Sequence, residues 1–147
     1  MAFTEEDVKS YINHREGRLC GAEEHWLDIS VLKGLTLAAV YQLEKDSTEA
    51  FFLTSEGRCF KMYHEQDCCE SVYIEDVCGD INDLVGSAII VSEEVSSDGE
   101  PALDDEWDDS YTWTFYKLAT SKGYVDIRWY GISNGYYSED VDFVELI

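Results

Sequence analysis

The chain has 147 residues, 45% of them hydrophobic and 14% aromatic, which is enough for one domain with a proper core and argues against disorder. Against 10 Lys and Arg stand 32 Asp and Glu, leaving a formal charge of −22. Such a balance excludes a grip on the phosphate backbone, which needs clustered Lys and Arg, and any attraction to an anionic membrane surface. The favoured partners are basic: metal ions, cationic peptides, or the nucleic-acid-binding groove of another protein.

The chain is expected to open with a helix. Thr4 is placed as its N-cap with Asp7 three residues on, Glu5 and Glu6 suit the positive end of the dipole, and Gly17 ends it. Phe3, Val8, Tyr11 and Ile12 fall on one side. Residues 18–30 read either as a second short helix around Glu23, Glu24, His25 and Trp26 or as a loop, so residues 1–30 form an N-terminal helical segment. From Leu35 the period becomes two, and strands are expected at 35–43, 50–54, 59–63 and 71–77, joined by polar turns into an antiparallel meander. Asp80 then caps one or two helical turns carrying Ile81, Leu84 and Val85 and ending at Gly86.

A strand over 88–91 precedes a polar, acidic loop at 92–110 that holds the only proline, Pro101. Tyr111–Thr120 is strongly β-prone and turns at Ser121-Lys122-Gly123 into Tyr124–Tyr130. There Val125, Ile127 and Trp129 face one way, Asp126 and Arg128 the other. Asn134-Gly135 reads as a tight hairpin turn leading into a strand at 136–146. The expected fold is α+β: one domain over residues 1–147, with residues 31–147 forming an antiparallel sheet of six to eight strands beside one or two short helices.

The acidic start, Glu5-Glu6-Asp7, is unlike an export signal, and no apolar run approaches the ~18 residues of a membrane span. Cys20, Cys59, Cys68, Cys69 and Cys78 are odd in number and contain no CxxC pair, the pattern of reduced thiols in a cytoplasm.

Two stretches carry a resemblance. One is His64-Glu65-Gln66-Asp67-Cys68-Cys69-Glu70-Ser71-Val72-Tyr73-Ile74-Glu75-Asp76-Val77-Cys78-Gly79-Asp80. The other runs from Tyr111-Thr112-Trp113-Thr114-Phe115-Tyr116 through Arg128-Trp129-Tyr130-Gly131 to Asn134-Gly135-Tyr136-Tyr137-Ser138. Together they resemble a family of small uncharacterised proteins encoded by tailed phages and their bacterial hosts, over roughly residues 31–147. The resemblance implies a phage product acting in a bacterial cytoplasm; it transfers no catalytic residue.

Between Lys61 and Lys117 there is no Lys or Arg, and Met62–Asp109 alone carries 16 of the acids. Glu93, Glu94, Asp98, Glu100, Asp104, Asp105, Glu106, Asp108 and Asp109 form its densest part, and on one face such acids could imitate duplex phosphates. The plainer reading is a solvated face that keeps the protein soluble. With the phage setting, the acids point to a non-enzymatic protein that binds and inhibits a basic, nucleic-acid-handling host protein. A CRISPR effector or another DNA-binding defence protein is the obvious target. Tyr136 and Tyr137, in an aromatic-rich C-terminal third, join the expected contact residues. No cofactor is expected. The alternative from another class is a zinc module or metal-dependent enzyme using Cys59, His64, Cys68 and Cys78; against it stand the missing knuckle and the alternating faces of neighbouring strand residues. A third is a phage accessory protein with no role for its charge.

Overall fold

The computed structural model describes residues 2–97, 110–133 and 137–147. Thr4 caps the helix α1 (Glu5–His14) as expected: its hydroxyl accepts from the Asp7 N–H at 3.3 Å, and the Asp7 carboxylate accepts from the Thr4 N–H at 2.8 Å. The helix ends at Arg15, which takes a left-handed φ of 53°, two residues before Gly17. Residues 18–30 hold no second α-helix. They form a 3-10 turn at Arg18–Gly21, the short strand β1 (Glu24–Trp26) and the start of a 3-10 turn at Ile29–Leu32.

The remaining strands are β2 (Leu37–Tyr41), β3 (Glu49–Thr54), β4 (Cys59–Tyr63), β5 (Ser71–Cys78), β6 (Val91–Ser97), β7 (Ser110–Thr120), β8 (Gly123–Ser133) and β9 (Asp142–Leu146). They make two antiparallel sheets, β1-β9-β4-β3-β2 and β5-β8-β7-β6. The expected α+β fold with one sheet of six to eight strands is therefore corrected: the chain is mostly β, in sheets of five and four strands, with one α-helix among the described residues. The physical reason lies in β3 and β4. Every residue from Ala50 to Thr54 and from Cys59 to Tyr63 is buried, so this sheet needs cover on both faces.

One face receives the second sheet. Phe52, Phe60, Met62 and Phe143 meet Ile74, Tyr116, Leu118, Val125, Ile127 and Trp129 in the main core. Trp129 donates its indole N–H across the sandwich to the Met62 sulfur at 3.1 Å. The opposite face receives α1, where Val8 packs with Phe51, Leu53, Cys59, Tyr63, Val144 and Leu146. Buried Lys61 lies under the helix, 4.2 Å above the Tyr63 ring and 3.7 Å from Glu49.

Two further expectations change. β5 leaves the expected meander for the second sheet, because its inner residues Val72 and Ile74 belong to the main core. Residues 92–97 continue the strand from Val91 instead of opening the acidic loop. The Asn134-Gly135 turn lies outside the described residues, but the strands flanking it, β8 and β9, are not partners; they belong to different sheets. Asp80 caps its 3-10 turn (Ile81–Leu84) as expected, accepting from the Asn82 N–H at 3.0 Å.

Candidate interaction surface

The four-stranded sheet has an inner face against the core and an outer face on which no element packs among the described residues. Register decides what stands on that outer face, because directly opposed residues share it. Trp113 lies opposite Tyr130, Phe115 opposite Arg128 and Val95, Lys117 opposite Asp126 and Glu93, and Ala119 opposite Tyr124 and Val91. Aromatic rings cluster at one end: Trp113 and Tyr130 have centroids 4.5 Å apart, with Phe115 at 6.3 Å from Trp113 and Tyr73 at 6.2 Å from Tyr130. The Arg128 guanidinium sits 5.5 Å over the Trp113 ring while pairing with Glu75 at 2.5 Å and Asp76 at 3.6 Å.

Further along lie two adjoining clefts. One, of about 160 Å³, is lined by Asp76, Cys78, Phe115, Lys117, Asp126 and Arg128. Its neighbour, of about 290 Å³, shares Lys117 and Asp126 and adds Val91, Ala119 and Tyr124. Tyr124 is 67% exposed, Val95 48% and Val91 39%. A sheet face with exposed aromatic and aliphatic side chains set among charges, on which no described element packs, has the composition of a protein-binding surface. It can position and hold a partner.

The residues singled out from sequence are distributed unevenly. Glu93 stands on the outer face opposite Lys117. Glu94 points the other way, as its neighbour in a strand must, and accepts the Tyr116 hydroxyl at 3.2 Å; burial holds its carboxyl above the ordinary value. Tyr137 is half-buried in the segment after β8. Asp98, Glu100, Asp104, Asp105, Glu106, Asp108, Asp109 and Tyr136 lie outside the described residues. Ser97 and Ser110, between which most of those acids fall in sequence, lie at the Trp113 end of the face, opposite Trp113 and Ser133 respectively.

The alternative metal set does not converge. Cys59 faces α1, and burial, with Asp7 and Glu145 nearby, pushes its thiol up to about 12. Cys78 is exposed at the end of β5 beside Asp76, whose charge raises its pKa. The sulfurs of Cys68 and Cys69, neighbours in sequence, lie against each other and away from Cys59 and Cys78. Among the described residues no three His, Cys, Asp or Glu side chains gather as metal ligands.

His64 has a different occupation. Its Nδ1 lies 2.6 Å from the Asp140 carbonyl and its Nε2 2.8 Å from the Glu70 carboxylate. Both contacts are acceptors, so the ring is favoured doubly protonated. Burial works against that charge, but the two acceptors prevail and raise its pKa. Glu70, itself enclosed, also accepts from the N–H groups of Cys68 at 2.8 Å and Asp67 at 3.0 Å. Burial opposes its ionisation, yet these bonds and His64 hold it at about 2. The pair ties the β4–β5 connection to the segment before β9; its role is architectural.

The sequence pattern marked neither Lys117 nor Val91 for the outer face. The alternation in β8 that sends Asp126 and Arg128 away from Val125, Ile127 and Trp129 was the signal that a charged second face existed. Among the described residues no helix is long and apolar enough to cross a membrane. No curated protein and no solved structure matches the chain. A family model described as a domain of unknown function (DUF7448) matches residues 28–143, most of both sheets, and the chain belongs to that family.

Proposed function

We propose that this protein is a non-enzymatic, phage-encoded inhibitor or adaptor that docks on a basic, nucleic-acid-handling host protein in the bacterial cytoplasm. The carrying observation is the run of nine acids and no cation over 93–109, which starts within β6, an edge strand of the four-stranded sheet. Acids in that number would occupy a positive groove in place of phosphates, and the field of a −22 chain would steer the encounter. A CRISPR effector or another DNA-binding defence protein has the required groove.

The test is capture from host lysate in the presence of increasing duplex DNA, followed by assay of the captured protein's own nucleic-acid binding. The reading expects DNA to displace the partner, and the partner to lose its nucleic-acid binding when this protein is added. Association should also slow steeply with salt, as screening lengths shrink to ~8 Å at physiological ionic strength. Capture indifferent to both DNA and salt would overturn it.

A further inference from the structure

We propose that the outer face of the four-stranded sheet is the docking groove for an extended, arginine-bearing segment of the partner, with arginines two residues apart entering the two adjoining clefts. This rests on the inhibitor reading above and gives its partner a specific chemistry. Three observations carry it.

The first is charge. Glu75, Asp76, Glu93 and Asp126 stand on or beside this face against Lys117 and Arg128. Arg128 is already paired with Glu75 and Asp76, and Lys117 stands opposite both Glu93 and Asp126, so the face keeps a surplus of carboxylate for an incoming cation. The second is an internal precedent: Arg128 lies over the Trp113 ring with two carboxylates at its edge, the arrangement the face would offer a partner's guanidinium. A planar guanidinium stacks on an aromatic ring and forks to carboxylates, whereas an ammonium does neither as well. Phe115 with Asp76 in one cleft, and Tyr124 with Asp126 in the next, repeat the combination of ring and acid.

The third is spacing. The clefts are offset along β7 from Phe115–Lys117 to Lys117–Ala119, two residues or roughly 7 Å. Alternate side chains of an extended segment have that same repeat.

The experiment uses the whole protein and fluorescently labelled short peptides of alternating Arg and Ser, with an alternating Lys and Ser peptide for comparison, read by anisotropy at low ionic strength. The Arg peptide should bind about tenfold more tightly than the Lys peptide. Tyr124→Ala and Asp126→Asn should each weaken it about tenfold. The control pair Glu16→Gln with Glu44→Gln, both exposed and away from the face, should change it by less than about twofold. Tyr124 is an exposed side chain, so its truncation leaves the core intact. Equal weakening by face variants and control pair would refute the groove while leaving the acidic-inhibitor reading standing. Failure of the Arg peptide to bind, or equal binding of the Arg and Lys peptides, would likewise refute the groove, whereas the inhibitor reading falls only if capture is indifferent to DNA and salt.

Discussion

Gly79 sits where β5 ends, with a φ of +114° that side-chain-bearing residues rarely adopt. A Cβ built there would lie 2.4 Å from the Tyr124 carbonyl oxygen and 3.2 Å from the Val125 Cα, both backbone atoms of β8. Gly34 has a comparable φ of +91° with nothing within 4 Å of its Cβ position. Gly34→Ala should therefore cost only the left-handed penalty, about 1–2 kcal/mol. Gly79→Ala should cost that plus about 1–3 kcal/mol of overpacking, because strand backbone cannot swing aside as a side chain does. The expected total is about 2–5 kcal/mol. Urea unfolding of both variants, compared at unchanged m, isolates the steric part as the difference between their midpoints. If Gly79→Ala cost no more than Gly34→Ala, the close approach of β5 to β8 would be refuted. The position matters for binding too, since Tyr124 starts the strand that the added methyl would displace.

Three further outcomes are expected. The His64–Glu70 pair should shape stability against pH: the His64 contribution is complete below 6.5 and lost as pH rises through its raised folded value, and that of Glu70 is complete above 4.5 and lost as pH falls towards about 2. Melting temperatures of wild type minus His64→Gln should then be largest between those limits and shrink on either side of them; a difference that does not vary with pH would refute the charged pair. Trp129→Ala should cost about 3–5 kcal/mol in chemical unfolding, and Met62→Leu, which keeps volume but loses the sulfur acceptor, under about 1.5 kcal/mol; a larger cost for the second would mean that the indole N–H matters more than packing. A thiol reagent followed by mass spectrometry should label Cys20 and Cys78 in the native protein and Cys59 only on unfolding, and native labelling of Cys59 at the rate of Cys20 would contradict its burial under α1.

Local signals in the chain were readable and long-range ones were not. The capping box at Thr4 and Asp7, the Asp80 cap and the alternation of β7 and β8 are governed by residues within a few positions of one another, and each is found where the pattern placed it. Sheet membership depends on partners far along the chain, so a meander was extended through β5 when its pairing is with β8. The apolar run Ala50-Phe51-Phe52-Leu53 was the missed clue: a strand apolar on both faces implies two covering layers, hence a second sheet. For the candidate surface, the acids of 92–97 were read as loop because charge outweighed their alternation with Val91 and Val95. As a strand they divide between two faces, which separates Glu93 from Glu94. The setting of His64 was not legible either, because its acceptors, Glu70 and the Asp140 carbonyl, lie six and seventy-six residues away.

The strand order also has a consequence for how the chain is made. β9 is inserted between β1 and β4, and the Arg58–Glu145 ion pair closes a loop of 87 residues. Until residues 142–146 leave the ribosome, β4, which the finished fold buries on both faces, remains an open edge without its neighbour. Synthesis at ~5–20 residues per second is slow compared with hydrophobic collapse, so that edge stays exposed for seconds. Long-range closure of this kind folds late and slowly. The five-stranded sheet is thus completed only after translation has passed β9, and until then the repulsion between like-charged chains works against pairing of β4 with another nascent chain.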